Sequence, residues 1–180
     1  MPKNLKVFVV GQDGIGREGI IQTIWEQSKV VKFKTGKNSK CGTIKIQNKN
    51  YNLELYDIGS DDSMMTILGQ PSVIIFVYYE ANKTTFDIFN QYWYDIIKEK
   101  YSKSVIALVG IYSYENFRKK VSQKDLDEII EKSGALTYKV NTDDISELDK
   151  ILVETLTKSL EVDDGDESKD EGKNCCCLIY

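Results

Sequence analysis

The chain has 180 residues, 41% of them hydrophobic, which suits one domain with a substantial core plus a tail, and no apolar run is long enough to cross a membrane. Cys41 stands alone and Cys175, Cys176 and Cys177 are adjacent, which excludes a disulfide framework and, with no histidine, a zinc site. The net charge of −4 sits in residues 161–180, with seven acidic and two basic side chains, so the body is about neutral and no nucleic-acid surface is expected.

Met1-Pro2-Lys3 leads straight into a strand, so no signal peptide is expected, and the cysteine usage suits a reducing, cytosolic setting. Leu5–Val10 is an apolar run interrupted only by Lys6, the pattern of a parallel strand buried on both faces. It runs into Gly11, Gly14 and Gly16 and then a helix-period stretch, Ile15 to Gln27, with Ile20, Ile21, Ile24 and Trp25 on one face. Strand, glycine loop and helix in this order form a phosphate-binding loop, whose backbone N–H groups and helix N-terminus receive phosphate oxygens. The motif G-x-x-x-x-G-K-[ST] asks for Lys and then Ser or Thr after Gly16, but this chain has Arg17 and Glu18. Arg17 keeps the positive charge as a planar fork, whereas Glu18 puts a carboxylate where a hydroxyl would hold Mg²⁺.

Lys29–Gly42 is polar and reads as a loop; its Lys29, Lys32, Lys34, Lys37 and Lys40 suit a solvated surface, or an acidic partner or phosphate. Thr43–Gln47 and Leu53–Asp57 flank the turn cluster Asn48-Lys49-Asn50, a hairpin. Asp62–Gly69 reads as a short helix, Ser72–Tyr79 as a buried strand, and Thr84 to Tyr101 as a helix packing Phe86, Phe89, Trp93 and Ile97 into the core. Val105–Gly110 is a third buried strand, and Ser122–Ser133 a helix with Ser122 as N-cap and Gly134 as stop. Leu136–Val140 is the last strand, and Asp143 or Asp144 caps a final helix running through Leu160. From Glu161 charge replaces periodicity, so residues 163–174 read as a disordered linker.

The alternation predicts an α/β fold: a mostly parallel six-stranded sheet with one antiparallel edge strand and helices on both faces. Ligands of such sheets sit at the carboxyl ends of the strands, where Gln12, Ile58, Tyr79, Glu80, Ile111 and Asn141 fall.

Element order, glycine loop and terminal cysteines resemble a small GTPase of the Ras superfamily, and several stretches resemble its Rab branch. Leu55-Tyr56-Asp57-Ile58-Gly59 resembles the family's Trp-Asp-Thr-Ala-Gly strand end. Val73 to Tyr78, with Glu80, Thr84-Thr85-Phe86 and Trp93, and the strand Ile106-Ala107-Leu108-Val109-Gly110 resemble its next two strands. The resemblance covers residues 4–160 and the C-terminal cysteines. It implies a P-loop G domain over residues 1–162, and an acidic hypervariable tail over 163–180.

The resemblance also assigns roles. Gly11, Asp13, Gly14, Ile15, Gly16, Arg17 and Glu18 form the phosphate loop; Thr35 and, through water, Asp57 would hold Mg²⁺, with Thr43 the second choice for Thr35 because it begins a strand. The glycine that meets the terminal phosphate becomes Ser60, or Gly59 by a slipped register, and the water-orienting glutamine becomes Asp61, so no catalytic residue carries over. The guanine-reading Asn-Lys-x-Asp aligns with Ile111-Tyr112-Ser113-Tyr114, with Glu115 in reach only by a one-residue shift and Tyr112 able to stack on a base; the Ser-Ala-Lys loop aligns with Asn141-Thr142-Asp143.

Losing two charged contacts costs on the order of 3–6 kcal/mol of GTP or GDP affinity. A carboxylate from Asp13 or Glu18 would then occupy the place of a phosphate, favoured by roughly 0.3–1 kcal/mol at the helix N-terminus. The expected reading is a pseudo-GTPase, a membrane-tethered module for effector proteins bound through the switch-like loops; the alternative is a working but atypical GTP switch. Cys176 and Cys177 resemble the double-cysteine ending of prenylated Rab proteins, and Cys177 also opens a C-a-a-X box ending in Tyr180. This implies prenylation and lipid-chaperone machinery as partners, and a lipid anchor on the cytoplasmic face of a membrane with a cytosolic pool. The acidic tail offers no polybasic patch, so two lipids are expected.

Overall fold

Val7 to Val10 carry only apolar side chains, and the strand they form, β1 (Asn4–Val10), lies at the middle of a seven-stranded sheet. The computed structural model describes residues 2–27, 30–35, 39–60, 62–113, 120–142, 144 and 147–170. After β1 come α1 (Arg17–Gln27), β2 (Val31–Thr35), β3 (Ser39–Ile46), β4 (Lys49–Gly59), α2 (Ser63–Leu68) and β5 (Val73–Tyr79). Next are α3 (Lys83–Ile88), a π-helical stretch (Phe89–Trp93) and α4 (Tyr94–Lys100), then β6 (Val105–Tyr112), α5 (Gln123–Ser133), β7 (Leu136–Asn141) and α6 (Leu148–Asp170).

The strand order is β2-β3-β4-β1-β5-β6-β7. β3 runs against its neighbours, and the remaining ladders are parallel. Period-two alternation splits each central strand between two cores. Val7, Val9, Val73, Ile75 and Val77 pack with Ile20, Ile24, Leu152 and Leu156 of α1 and α6. Phe8, Val10, Ile74, Phe76 and Tyr78 face Phe86, Phe89, Trp93 and Leu126 on the other side. Helices therefore cover both faces, and the aromatic residues 86, 89, 93 and Ile97 are buried as their spacing predicts.

The six expected strands are all present, and β2 adds a seventh. The segment Lys29–Gly42 is thus not the loop its polarity predicts. Lys32 and Lys34 alternate with Val31, Phe33 and Thr35, a period-two pattern, and lysine is well tolerated on an exposed edge. The turn after β3 falls on Gln47 and Asn48, whose φ values of 46° and 66° make a two-residue hairpin between Ile46 and Lys49.

Two further expectations change. The final helix begins at Leu148, so Asp144 lies before it, bridged to Asn141, and does not cap it. Its other end runs on to Asp170, so residues 163–170 are helical and not the start of a linker. Helix α5 follows its signals, with a Ser122–Asp125 capping box and Gly134 in the left-handed conformation at φ 67°. Among the described residues no helix is long and apolar enough to cross a membrane.

Candidate functional site

The carboxyl ends of β1, β4, β5, β6 and β7 open on one edge of the sheet, and the glycine loop lies there. Gly11 leaves β1 at φ 142°, and a Cβ on it would stand 2.6 Å from the carbonyl oxygen of Val77. Only glycine lets the chain turn this closely past β5. The loop reaches α1 at Arg17, with Glu18 exposed in the first turn.

Arg17 does not face outward. Its guanidinium folds back under the loop, and the residue is 7% exposed. Nε donates to Oδ1 of Asp57 at 2.6 Å, Nη1 to the carbonyl oxygens of Gly11 and Gln12 at 2.9 Å each, and Nη2 to Oδ1 of Asp13 at 3.1 Å. The two ion pairs differ in weight. The Asp57 side chain is 19% exposed and that of Asp13 74%. The Asp57 pair works in a low-dielectric setting, while the Asp13 pair is screened by water and contributes less than about 1 kcal/mol.

β4 is irregular at its end, just beyond Asp57. Val9 pairs with Asp57 but Val10 pairs with Gly59, so Ile58 is the extra residue of a bulge. The slip brings Gly59 beside the loop, where Gly11 N–H donates to its carbonyl oxygen at 3.1 Å. Gly59 has φ 79°, and a Cβ there would meet Nη2 of Arg17 at 3.3 Å. Ser60 remains in the site by its side chain, donating from Oγ to Oδ2 of Asp13 at 3.2 Å.

Beside the loop lies a cleft of about 440 Å³, lined by Gln12–Ile15 together with Tyr79, Asn82, Thr85, Ile111, Ser113 and Thr142. A smaller hollow of about 210 Å³ adjoins it, sharing Asp13 and Gly14 and bounded by Gly16, Arg17 and Glu18. Ile111 and Ser113 line the larger cleft, while Tyr112 between them does not, so the expected stacking tyrosine is not part of its wall. The Tyr112 carbonyl instead accepts from Thr142 N–H at 2.8 Å, which ties β6 to the loop after β7. Asn82 and Thr85 were not singled out from sequence. Asn82 caps α3 just beyond β5, accepting from Thr84 N–H at 3.1 Å, and an Asn three residues past a buried strand was the available signal.

The structure thus joins Gly11, Asp13, Gly14, Ile15, Gly16, Arg17, Glu18 and Asp57 in one site. Asp13 turns to Arg17 and Ser60, and the buried cation at the centre of the cluster is Arg17. Thr35 ends the edge strand β2 opposite Lys40, so being in a strand no longer separates it from Thr43, which lies within β3; the Thr35 side chain is outside the described residues. Asp61, Tyr114, Glu115, Asp143, Cys176 and Cys177 also lie outside them.

A Mg²⁺–nucleoside triphosphate does not fit this donor set. The carboxylate oxygen of Asp57 accepts from Arg17 Nε, and Glu18 places a further negative charge by the loop. Among the described residues no group of three or more His, Cys, Asp or Glu side chains could hold a metal ion.

Comparison with known proteins gives one family. The model of the Ras family matches residues 6–161. No curated protein matches the chain.

Proposed function

The chain belongs to the Ras family, and on that premise we propose that it is a Rab-like, membrane-tethered pseudo-GTPase acting as an interaction module in vesicle traffic or signalling. The observation that carries this reading is the buried Arg17 guanidinium, bonded to Asp57, Asp13 and two loop carbonyls. Small GTPases of the family generally bind GTP or GDP with Mg²⁺ and engage effectors through their switch loops. Here the cation at the loop belongs to the protein, and hydrolysis lacks its glutamine, replaced by Asp61.

Effector proteins would read the surface next to this cluster. Met64 and Ile67 of α2 are 44% and 78% exposed, and Tyr92 of the π-helical stretch is 42% exposed. Tyr92 donates its hydroxyl to Oδ1 of Asp62 at 2.8 Å, which fastens the start of α2 to the neighbouring helix. Cys176 and Cys177 would take the lipids that hold the chain on the cytoplasmic face of a membrane, with prenylation and lipid-chaperone machinery as partners and a cytosolic pool.

The test is the nucleotide content of freshly purified full-length chain, denatured and analysed by anion exchange. An empty pocket in folded protein is the expected result. Near-stoichiometric GDP or GTP overturns the reading and establishes a working switch in its place.

A further inference from the structure

We propose that the larger cleft binds an uncharged ligand of nucleoside size, and that each phosphate added to this ligand weakens binding. The inference rests on the reading of the pocket as closed to Mg²⁺–GTP, and it reverses the order of affinity that a phosphate loop normally imposes.

Size and lining come first. At about 440 Å³ the cleft falls in the range of small-molecule sites, roughly 300–1,000 Å³. Ile15, Tyr79 and Ile111 supply apolar wall for a planar base or a sugar face, and Asn82, Ser113 and Thr142 supply neutral polar groups. Thr85 is fixed in that wall, its hydroxyl donating to the Asn82 carbonyl at 2.7 Å and accepting from Tyr79 N–H at 2.9 Å. The single ionisable carboxylate among the described lining residues is Asp13, at the junction with the smaller hollow.

Charge decides the rest. A phosphate tail on a ligand in the larger cleft would extend past Asp13 and Gly14 into the smaller hollow. There it meets the carboxylates of Asp13 and Glu18, both exposed, and one guanidinium. That guanidinium is already bonded to two carboxylates and two carbonyls. Freeing Arg17 for a phosphate would leave Asp57 without its cation in a mostly buried position, a cost the new contact must first offset. A neutral nucleoside escapes both penalties.

Isothermal titration calorimetry of the full chain with guanosine, adenosine, GMP, GDP and GTP, each in Mg²⁺ and in EDTA, tests the inference. The expected order is nucleoside tightest and GTP weakest, with at least about a tenfold span and no gain from Mg²⁺. The variant Asp13→Asn/Glu18→Gln should compress that span. Raising the salt concentration should compress it in the unmodified chain as well, so the result does not depend on the variant folding. Tighter binding of GTP than of guanosine, or binding that requires Mg²⁺, overturns both this inference and the closed-pocket reading. Failure of both nucleosides to bind at millimolar concentration overturns this inference alone and leaves the interaction module standing.

Discussion

Arg17 Nε and Asp57 Oδ1 stand 2.6 Å apart, joining the first residue of α1 to the end of β4 across a gap of 40 residues in sequence. The contact closes the phosphate loop onto the end of β4. It also ties the stability of the fold to the geometry of the loop.

Breaking that pair should therefore be costly. Asp57→Asn removes the more buried of the guanidinium's two counter-charges and is expected to lower unfolding free energy by about 3 kcal/mol in urea titration. Asp13→Asn removes the exposed partner and should cost less than about 1 kcal/mol. Equal losses for the two would mean that burial does not rank them.

Restoring the motif residues should not be enough to restore the pocket. Arg17→Lys/Glu18→Ser is expected to leave Mg²⁺–GDP binding undetectable, because Asp13 still lies over the loop and bonded to Ser60. Adding Asp13→Ala should bring a gain of at least about tenfold, the worth of one recovered charged contact. Fluorescent-nucleotide titration checks this, and rescue by the double variant alone would show that Asp13 is no obstacle.

Acid should reveal the Asp125 cap. The Lys83 ammonium bonded to its carboxylate, followed by the Ser122 hydroxyl and N–H, holds Asp125 well below the ordinary carboxylate range. A depressed value in the folded state means the stabilisation is complete above about pH 4 and is lost as pH falls through the folded value. Melting curves of Asp125→Asn and the unmodified chain should thus differ at pH 6, and the gap should narrow steadily as pH falls below about 4. A constant gap across that window would assign the role to packing instead.

A methyl group at Gly110 has no room. Its Cβ would stand 2.6 Å from the Tyr78 hydroxyl and 2.7 Å from Glu80 Oε1, two groups bonded to each other at 2.9 Å and both fully buried. Gly110→Ala should lower stability by about 1–3 kcal/mol, read as a fall in melting temperature. Burial, and then the neighbouring Glu80 carboxylate, also push the Tyr78 phenol well above its usual pKa.

Lipid attachment can be read by fractionation. Cys176→Ser and Cys177→Ser should each reduce membrane association, and the pair should abolish it, if two chains are needed for a stable anchor. Loss confined to Cys177→Ser would point to a single C-a-a-X lipid.

Most of the architecture was legible because periodicity and caps agree along the chain. β5 is an unbroken apolar run, β1 is apolar from Leu5 onward except at Lys6, and α5 is bounded by Ser122 and Gly134 as their chemistry requires. The edge strand β2 was obscured because its alternation is carried by lysines, which composition reads as loop. In the site, the loop glycines were readable but the destination of Arg17 was not. An arginine after the last loop glycine looks like a phosphate ligand until the parallel pairing of β1 with β4 sets Asp57 beside it, 40 residues away in sequence, and the bulge at Ile58 that brings up Gly59 leaves no local trace either. Asp13, four residues before Arg17, was the nearest hint, since that spacing lets opposite charges meet.

An occupant tethered to its own site obeys different rules from one that arrives by diffusion. Arg17 is held beside Asp57 by the backbone that carries it, so its effective concentration is fixed by geometry and not by supply. Dilution, dialysis and chelators, which strip a metal-dependent pocket, leave such a contact as it was.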